Sequence, residues 1–374
     1  MSAYFFANAA RGTERLLLEE LREMGFQNLD LAGGGVAFTG DWSEGWRACL
    51  WSRIAQRVLL EITRFPGVGT PEALYAGVRA LDWRPFLTVG HSFAVTALPP
   101  REGPLRNPNF TGLKVKDAIA DGCRDQLGDR PMVNRDQPDL RVVAHISPNG
   151  DASIYADLVG EPLCRRGYRP EGGEAPLRES LAAALLRFSG WDRRSPLLDP
   201  CCGSGTIAIE AALWAANIAP GLFRQQFACE RWPLHDAGRA LELRELRGQT
   251  RAERRGDPPP ITAGDLDPAL LELARANARR AGVRLTFRQG DVRELRGWAP
   301  PLTVVTNPPY GVRLAADTAF FRGFGAAMAR LHGARVGVIA GTPEIAGGIP
   351  ARPLARQPVR NGALEADMLA YLMP

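Results

Sequence analysis

Lysine is almost absent from this chain. Of 46 lysine and arginine residues only Lys114 and Lys116 are lysines, so the positive charge rests on arginine, which suits bidentate phosphate contacts and stacking. Arginine excess beside 40 glycines and 30 prolines is also the mark of GC-rich coding, which accounts for the larger share. Cysteine is scarce as well. The six present (Cys49, Cys123, Cys164, Cys201, Cys202 and Cys229) form no Cys-x-x-Cys pair and have no histidine at zinc-ligand spacing. Reduced thiols and no metal site are expected. No apolar run approaches the ~20 residues of a membrane helix. The opening residues, Met1-Ser2-Ala3-Tyr4, lack a charged-then-apolar leader, so the sequence predicts neither a membrane protein nor a secreted one, and a cytoplasmic location.

What is present is globular in character: 45% apolar and 23% charged residues. At 374 residues the chain is too long for one ordinary core and implies two or three domains. A net charge of +5 and a sequence pI of about 9.0 mildly favour a polyanionic partner.

Short strands and helices alternate through the first half. Tyr4 to Ala7 reads as a strand, followed by a helix capped by Thr13, with Leu17, Leu21 and Met24 on one face and Gly25 closing it. A Gly33-Gly34-Gly35 turn precedes a strand from Val36 to Thr39, and Trp46, Leu50 and Ile54 align on a second helix. Further elements are predicted as a strand over 58–65, a helix over 72–81, a strand over 93–98 and a helix over 112–127. Period-two alternation at Leu140, Val142, Ala144 and Ile146, a Pro148-Asn149-Gly150-Asp151 turn and a return over 153–159 make a hairpin. Such a mixture points to two small α+β layers. His91 and His145 are isolated and read as structural. Lys114 and Lys116 share one helical turn opposite Val115 and Ile119; a solvated face and a phosphate-contacting face explain that spacing equally well.

Residues 161–175, rich in Gly, Pro and Arg, lack periodicity and read as an interdomain linker; Pro176 opens a helix with Leu181, Leu185 and Phe188 inward. Next comes a buried strand, Pro196-Leu197-Leu198-Asp199, then Pro200-Cys201-Cys202-Gly203-Ser204-Gly205 and a helix from Thr206. Strand, glycine turn and helix open a doubly wound α/β domain. No Gly-Lys-Ser/Thr follows, which excludes a phosphate-loop NTPase, and Ala208 stands three residues past Gly205 where a dinucleotide fingerprint has its third glycine. Asp199 before the turn suits a cofactor with a cationic end, such as the ammonium of S-adenosylmethionine, better than a pyrophosphate. After an insertion over 219–260, strand–helix alternation resumes, with strands over 261–264 and 284–287 and a helix carrying Leu270, Leu273 and Ala274. Asp199, Asp265 and Asp291 thus each terminate a parallel strand, the edge where such folds bind ligands; Asp265 is placed for a ribose diol and Asp291 for an adenine amine.

The stretch Leu302 to Val312 organises the rest. Its Val304-Val305 strand runs into Asn307-Pro308-Pro309-Tyr310. Pro308 has no N–H, fixes its own φ and holds Asn307 extended. The rigid turn presents an amide, a bare carbonyl and an aromatic face, the parts needed to hold a planar base with an exocyclic amine. A helix over 318–331, a strand over 335–340 and a hairpin turning at Asn361-Gly362 finish the chain. An antiparallel hairpin closing a parallel sheet fits a class I methyltransferase rather than a dehydrogenase.

With these motifs in hand the sequence resembles the bacterial 23S rRNA guanine-N2 methyltransferases of RlmL type, over nearly its whole length. The resemblance is carried in front by Ala9-Ala10-Arg11-Gly12-Thr13-Glu14, 114–119, Asp139-Leu140-Arg141-Val142, Asp157-Leu158 and Arg166-Gly167-Tyr168-Arg169. Behind, it is carried by Leu198-Asp199-Pro200 with Cys202 to Thr206, Gly264-Asp265, Asn307 to Gly311 and Asn361-Gly362 with Leu364. Cys201 stands where relatives usually have Met. The resemblance implies a ferredoxin-like part (1–55), a THUMP RNA-binding domain (56–160), a linker (161–176) and a Rossmann-like methyltransferase domain (177–374). Some relatives are fused to a second methyltransferase domain, whereas this chain stops after one.

Site residues follow. Asn307, Pro308, Pro309 and Tyr310 would be catalytic. Asp199, Pro200, Cys202, Gly203, Ser204, Gly205, Thr206, Asp265, Leu266, Asp291 and Val292 would hold S-adenosylmethionine. Lys114, Lys116, Arg141, Arg165, Arg166 and Arg169 would contact RNA. The expected partner is 23S rRNA, with tRNA as the alternative, bound by a monomer without metal. A DNA adenine-N6 methyltransferase uses the same four residues but expects its DNA reader after the catalytic motifs. A non-catalytic RNA-binding assembly factor is the third reading, opposed by the intact acids.

Overall fold

The computed structural model describes residues 2–169, 177–256, 258–309, 318–362 and 364–374. In the front half β1 (Ala3–Asn8), α1 (Glu14–Glu23), β2 (Asp30–Ala32), β3 (Gly35–Gly40), α2 (Trp42–Trp51) and β4 (Arg57–Phe65) come first. Then follow α3 (Pro71–Arg79), β5 (Ser92–Leu98), α4 (Pro108–Leu127), β6 (Met132–Val133), β7 (Leu140–Ile146) and β8 (Ala152–Asp157). Local chemistry sets the boundaries. A capping box between Asp41 and Glu44 starts α2. α4 starts at Pro108, four residues before the expected Gly112, because Asn107 accepts from Phe110 N–H and proline suits the first turn. Thr13 does not cap α1; its hydroxyl donates back to the Ala10 carbonyl.

The two layers expected from the sequence share one sheet of eight strands, in the order β2-β3-β1-β4-β8-β7-β5-β6. The joint is β4, whose nine residues are long enough to pair antiparallel with β1 through its first part and with β8 through most of its length. A bulge between Glu61 and Thr63 bends it there.

The back half contains α5 (Glu179–Phe188), β9 (Leu197–Asp199), α6 (Thr206–Ala215), α7 (Ala237–Ala252), β10 (Ile261–Asp265), α8 (Pro268–Arg280) and β11 (Thr286–Gln289). It ends with β12 (Thr303–Thr306), α9 (Thr318–Ala329), β13 (Arg335–Ala340), α10 (Pro343–Gly348), β14 (Ala355–Asn361) and β15 (Leu364–Leu372). The strand order is β11-β10-β9-β12-β13-β15-β14. β9 to β13 are parallel, whereas β15 runs antiparallel to β13 and β14, the closing hairpin read from Asn361-Gly362. β11 spans Thr286–Gln289 rather than 284–287, and α9 ends at Ala329 rather than 331; α8 buries Leu271, Ala274, Asn277 and Ala278.

The insertion fastens the halves together. Trp232 is buried and donates its indole N–H to Asp139 O at 3.1 Å, while Leu234 N–H donates to Pro85 O at 2.8 Å. Arg187 on α5 grips Glu23 on α1 through two bonds of 2.6 and 2.8 Å. Gly12 packs so closely on the carboxyl-terminal hairpin that a Cβ would lie 2.0 Å from Pro358 O, and its φ is +92°. Gly12→Ala should therefore destabilise the protein by about 3 kcal/mol, combining backbone strain with a steric clash. Gly34→Ala, with φ +83° but nothing within 4 Å of the added carbon, should cost only about 1 kcal/mol. Thermal or urea unfolding of both variants checks the difference.

Candidate active site

The chain builds the back sheet outward from β9 to β10 and β11, then returns to place β12 on the other side of β9. At that reversal the connections leave in opposite directions and open a crevice beyond the carboxyl ends of the strands. Both motifs singled out in the sequence end there. β9 delivers Asp199 and the glycine turn; β12, in register Val304↔Leu198, delivers Thr306 and Asn307 one strand spacing away.

On the β9 side, Gly203 and Gly205 take positive φ of +52° and +83°. A Cβ on Gly203 would meet nothing within 4 Å, so its backbone faces open space. Asp265 shapes this turn: one oxygen accepts from Gly203 N–H at 2.8 Å, the other from Asp267 N–H at 3.0 Å. Cys202 N–H bonds Gly264 O, and Asn277 donates to Ser204 O at 3.0 Å. Thr206 heads α6, and its hydroxyl accepts from Arg169. A cavity of about 170 Å³ opens past the ends of β9, β10 and β11, bringing together Pro200, Asp291 and Val292 with Gly264, Gln289 and Leu295. Leu266 lies exposed beside this edge.

Asp199 is 1% exposed. Its Oδ1 accepts a long 3.4 Å bond from Cys201 N–H, and its Oδ2 has no partner among the described residues. Burial pushes its carboxyl up to about 7, against the Thr306 hydroxyl and the Cys201 N–H, which act to lower it; the charge of Asp265 adds to the rise. Thr306 lies beside it without forming a hydrogen bond of good geometry. On the β12 side Asn307 Oδ1 is also buried and without a partner among the described residues. Two strand ends in contact thus each carry an unsatisfied buried oxygen, a cost a protein bears where a ligand completes the bonding. Tyr310, the fourth residue of that motif, lies outside the described residues.

Other sequence-predicted residues fall differently. Asp291 is engaged by Arg293, whose Nε reaches both its oxygens at 3.0 and 2.9 Å and holds the carboxyl below the usual range. Arg166 is not at the surface. It is buried, bonding Leu163 O and Arg53 O and reaching Glu210 on α6 at 3.5 Å. Arg169 is likewise turned inward, paired with Glu179 at 2.8 Å. The surface reading failed because α6 carries Glu210 in an otherwise apolar run, and a buried carboxylate needs a cation; that lone acid was the available signal. Lys114 and Lys116 do lie on the outer side of α4, with Val115 and Ile119 buried; Lys116 pairs with Asp117 and Lys114 sits over Phe110. Thr306, at the heart of the site, was missed because nothing in a Thr-Val-Val-Thr strand marks its last hydroxyl.

A doubly wound parallel sheet closed by an antiparallel hairpin, with open strand ends at the reversal, defines a class I methyltransferase domain. The chain belongs to the family described as UPF0020, RMKL-like, methyltransferase domain, matched over residues 166–369. Residues 4–59 match the RlmL ferredoxin-like domain and 69–157 the THUMP domain. A protein of Magnetococcus marinus named ribosomal RNA large subunit methyltransferase K/L is 42% identical over 83% of this chain and 44% of its own length. Its namesake from Methylococcus capsulatus is 40% identical over 99% of this chain and 51% of its own. The chain thus spans about half the length of these relatives. The crystal structure of SMU.472 complexed with SAH aligns over 100% of this chain and 98% of that one, with 28% identity and a TM-score of 0.86.

Because the folded-state carboxyl of Asp199 binds its proton more tightly than an unfolded aspartate, its contribution to stability is lost as pH rises from about 4 through about 7. Asp199→Asn should accordingly be more stable than the parent at pH 8, by up to about 4 kcal/mol, with the advantage fading by pH 4. Unfolding measured across that range checks it.

Proposed function

We propose that the protein methylates the exocyclic N2 amine of a guanine in 23S rRNA, using S-adenosylmethionine and working as a cytoplasmic monomer. The observation that carries this reading is the pairing of two unsatisfied oxygens, Asp199 Oδ2 and Asn307 Oδ1, across adjacent strand ends. The names of the K/L relatives and the SAH complex of SMU.472 support it. The chain divides in this reading into a ferredoxin-like part (1–55), a THUMP domain (56–160), a linker (161–176) and a catalytic domain (177–374).

Bound in the crevice, S-adenosylmethionine supplies an electrophilic methyl carbon on a sulfonium. Asp199, Pro200, Cys202 to Thr206, Asp265, Leu266, Asp291 and Val292 would hold it. The open Gly203 backbone admits a polar chain, and the orphan oxygen of Asp199 takes an ammonium, which restores its negative charge. Asn307 Oδ1 and the Pro308 carbonyl accept the two N–H bonds of the guanine amine, draw its lone pair out of conjugation and aim it at the methyl carbon. Pro308 and Pro309 keep this turn from relaxing, and Tyr310 stacks on the extruded base. The new N–C bond forms as the C–S electrons return to sulfur, and the surplus amine proton leaves to water. Catalysis is orientation and electrostatics, with no strong base.

Asn307→Ala should lower methyl transfer about 10²–10³-fold while SAH affinity, read by calorimetry, stays within about threefold of the parent. Full turnover by that variant would refute the mechanism. Mass spectrometry of rRNA and tRNA nucleosides from a deletion strain identifies the substrate. N2-methylguanosine lost from 23S rRNA is the expected result; its loss from tRNA alone would overturn the rRNA assignment.

A further inference from the structure

Where the THUMP strands, the start of the linker and the insertion converge, the surface folds into a cleft of about 740 Å³, a volume in the range of ligand sites. Six arginines line it, Arg57, Arg141, Arg165, Arg166, Arg224 and Arg231, against only two acids, Asp136 and Glu161. Four of the six have carboxylate partners: Arg57 with Asp157, Arg165 with Glu161, Arg166 with Glu210 and Arg231 with Asp139.

Arg141 and Arg224 have none among the described residues. Arg141 donates through Nη2 to Arg135 O at 3.0 Å, and its Nε is buried without a partner among those residues. Arg224 donates only to carbonyls, those of Pro162 and Arg165. Burial lowers the pKa of both; the guanidinium of Arg57 adds to this at Arg141 and that of Arg166 at Arg224, against the opposing charges of Asp157 and Asp136 on Arg141 and of Glu161 on Arg224. Two half-desolvated cations facing one cleft, neither in direct contact with a carboxylate among the described residues, are a standing cost that an entering anion lowers. Exposed Gln225 and Gln226 add amide donors at the rim.

We propose that this cleft clamps consecutive backbone phosphates of the RNA substrate, with Arg141 and Arg224 as the inner contacts and Arg165 as the outer one. The assignment rests on RNA being the substrate. The favoured occupant is a nucleic-acid strand rather than a lone phosphate, because the arginines come from separate segments of chain: β4, β7, the linker and the insertion. Arg165 also lies four residues before Arg169, whose guanidinium braces Thr206 at the glycine turn. A strand held here is therefore tied, through a short stiff segment, to the edge where the methyl group is transferred.

The test uses the full chain and a labelled single-stranded RNA, with affinity measured from about 50 to 200 mM salt. Arg141→Gln, Arg224→Gln and Arg165→Gln should each flatten the log affinity against log salt plot by about 0.7, the value of one released phosphate contact on a single strand. The Arg141/Arg224 double variant should bind about tenfold more weakly at the lowest salt. Arg224 also braces the linker carbonyls, so melting curves accompany each variant; Arg165, whose side chain is 73% exposed, is replaceable without loss of fold. Unchanged slopes in folded Arg141→Gln and Arg165→Gln would overturn the clamp, even if the parent methylates RNA. Flattened slopes in a protein that transfers no methyl to RNA would keep the clamp and remove the proposed activity.

Discussion

Everything at the crevice of the back half depends on the pairing of β9 with β12. Thr303 lies opposite Leu197 and Val304 opposite Leu198, a short parallel ladder that carries no side-chain chemistry of its own. It nevertheless sets the distance between the two motifs, since neighbouring strands cannot sit elsewhere than ~4.8 Å apart. The chain leaves β9 in one direction and comes back on the other side, so the crevice follows from connectivity before any ligand-binding residue is chosen. Asp199 and Asn307 stand at or just past the ends of their strands, where their side-chain oxygens meet the crevice rather than a neighbouring donor among the described residues.

A second constraint works from beneath. Glu210, buried in α6, receives Tyr168 OH at 3.0 Å and the Arg166 guanidinium, while Arg169 spans Glu179 and Thr206. The beginning of the linker is therefore part of the core of the methyltransferase domain. Breaking any one of these pairs would strand a charge away from water, which is why the segment holds a fixed course despite its Gly and Arg composition.

The back half was legible in the sequence wherever two signals coincided. Pro-Pro after a β-branched strand, the glycine turn after Leu-Leu-Asp and Asn-Gly between extended runs each fix a backbone conformation through local sterics, and each stands where it was read. On α8 Leu270, Leu271 and Leu273 allow two registers, and only packing against the neighbouring strands decides that Leu271 is the one fully buried. The roles of Arg166 and Arg169 were invisible for a different reason: an arginine reads the same from sequence whether its partner is a phosphate outside or a glutamate inside. The partner of Asp291 illustrates the same limit, since Arg293 two residues on reads as a surface charge until the turn brings it round.

The shared strand β4 has a consequence for how the front half can be taken apart. The ferredoxin-like match ends at residue 59 and the THUMP match begins at 69, so Arg57–Phe65 belongs wholly to neither. Severing the chain ahead of β4 would strip β1 of one neighbour, and severing it behind would do the same to β8. Either piece would then display a bare row of amides and carbonyls, an invitation to stack with its own copies. The two units named separately by their families are here, in mechanical terms, one ribbon with a single seam.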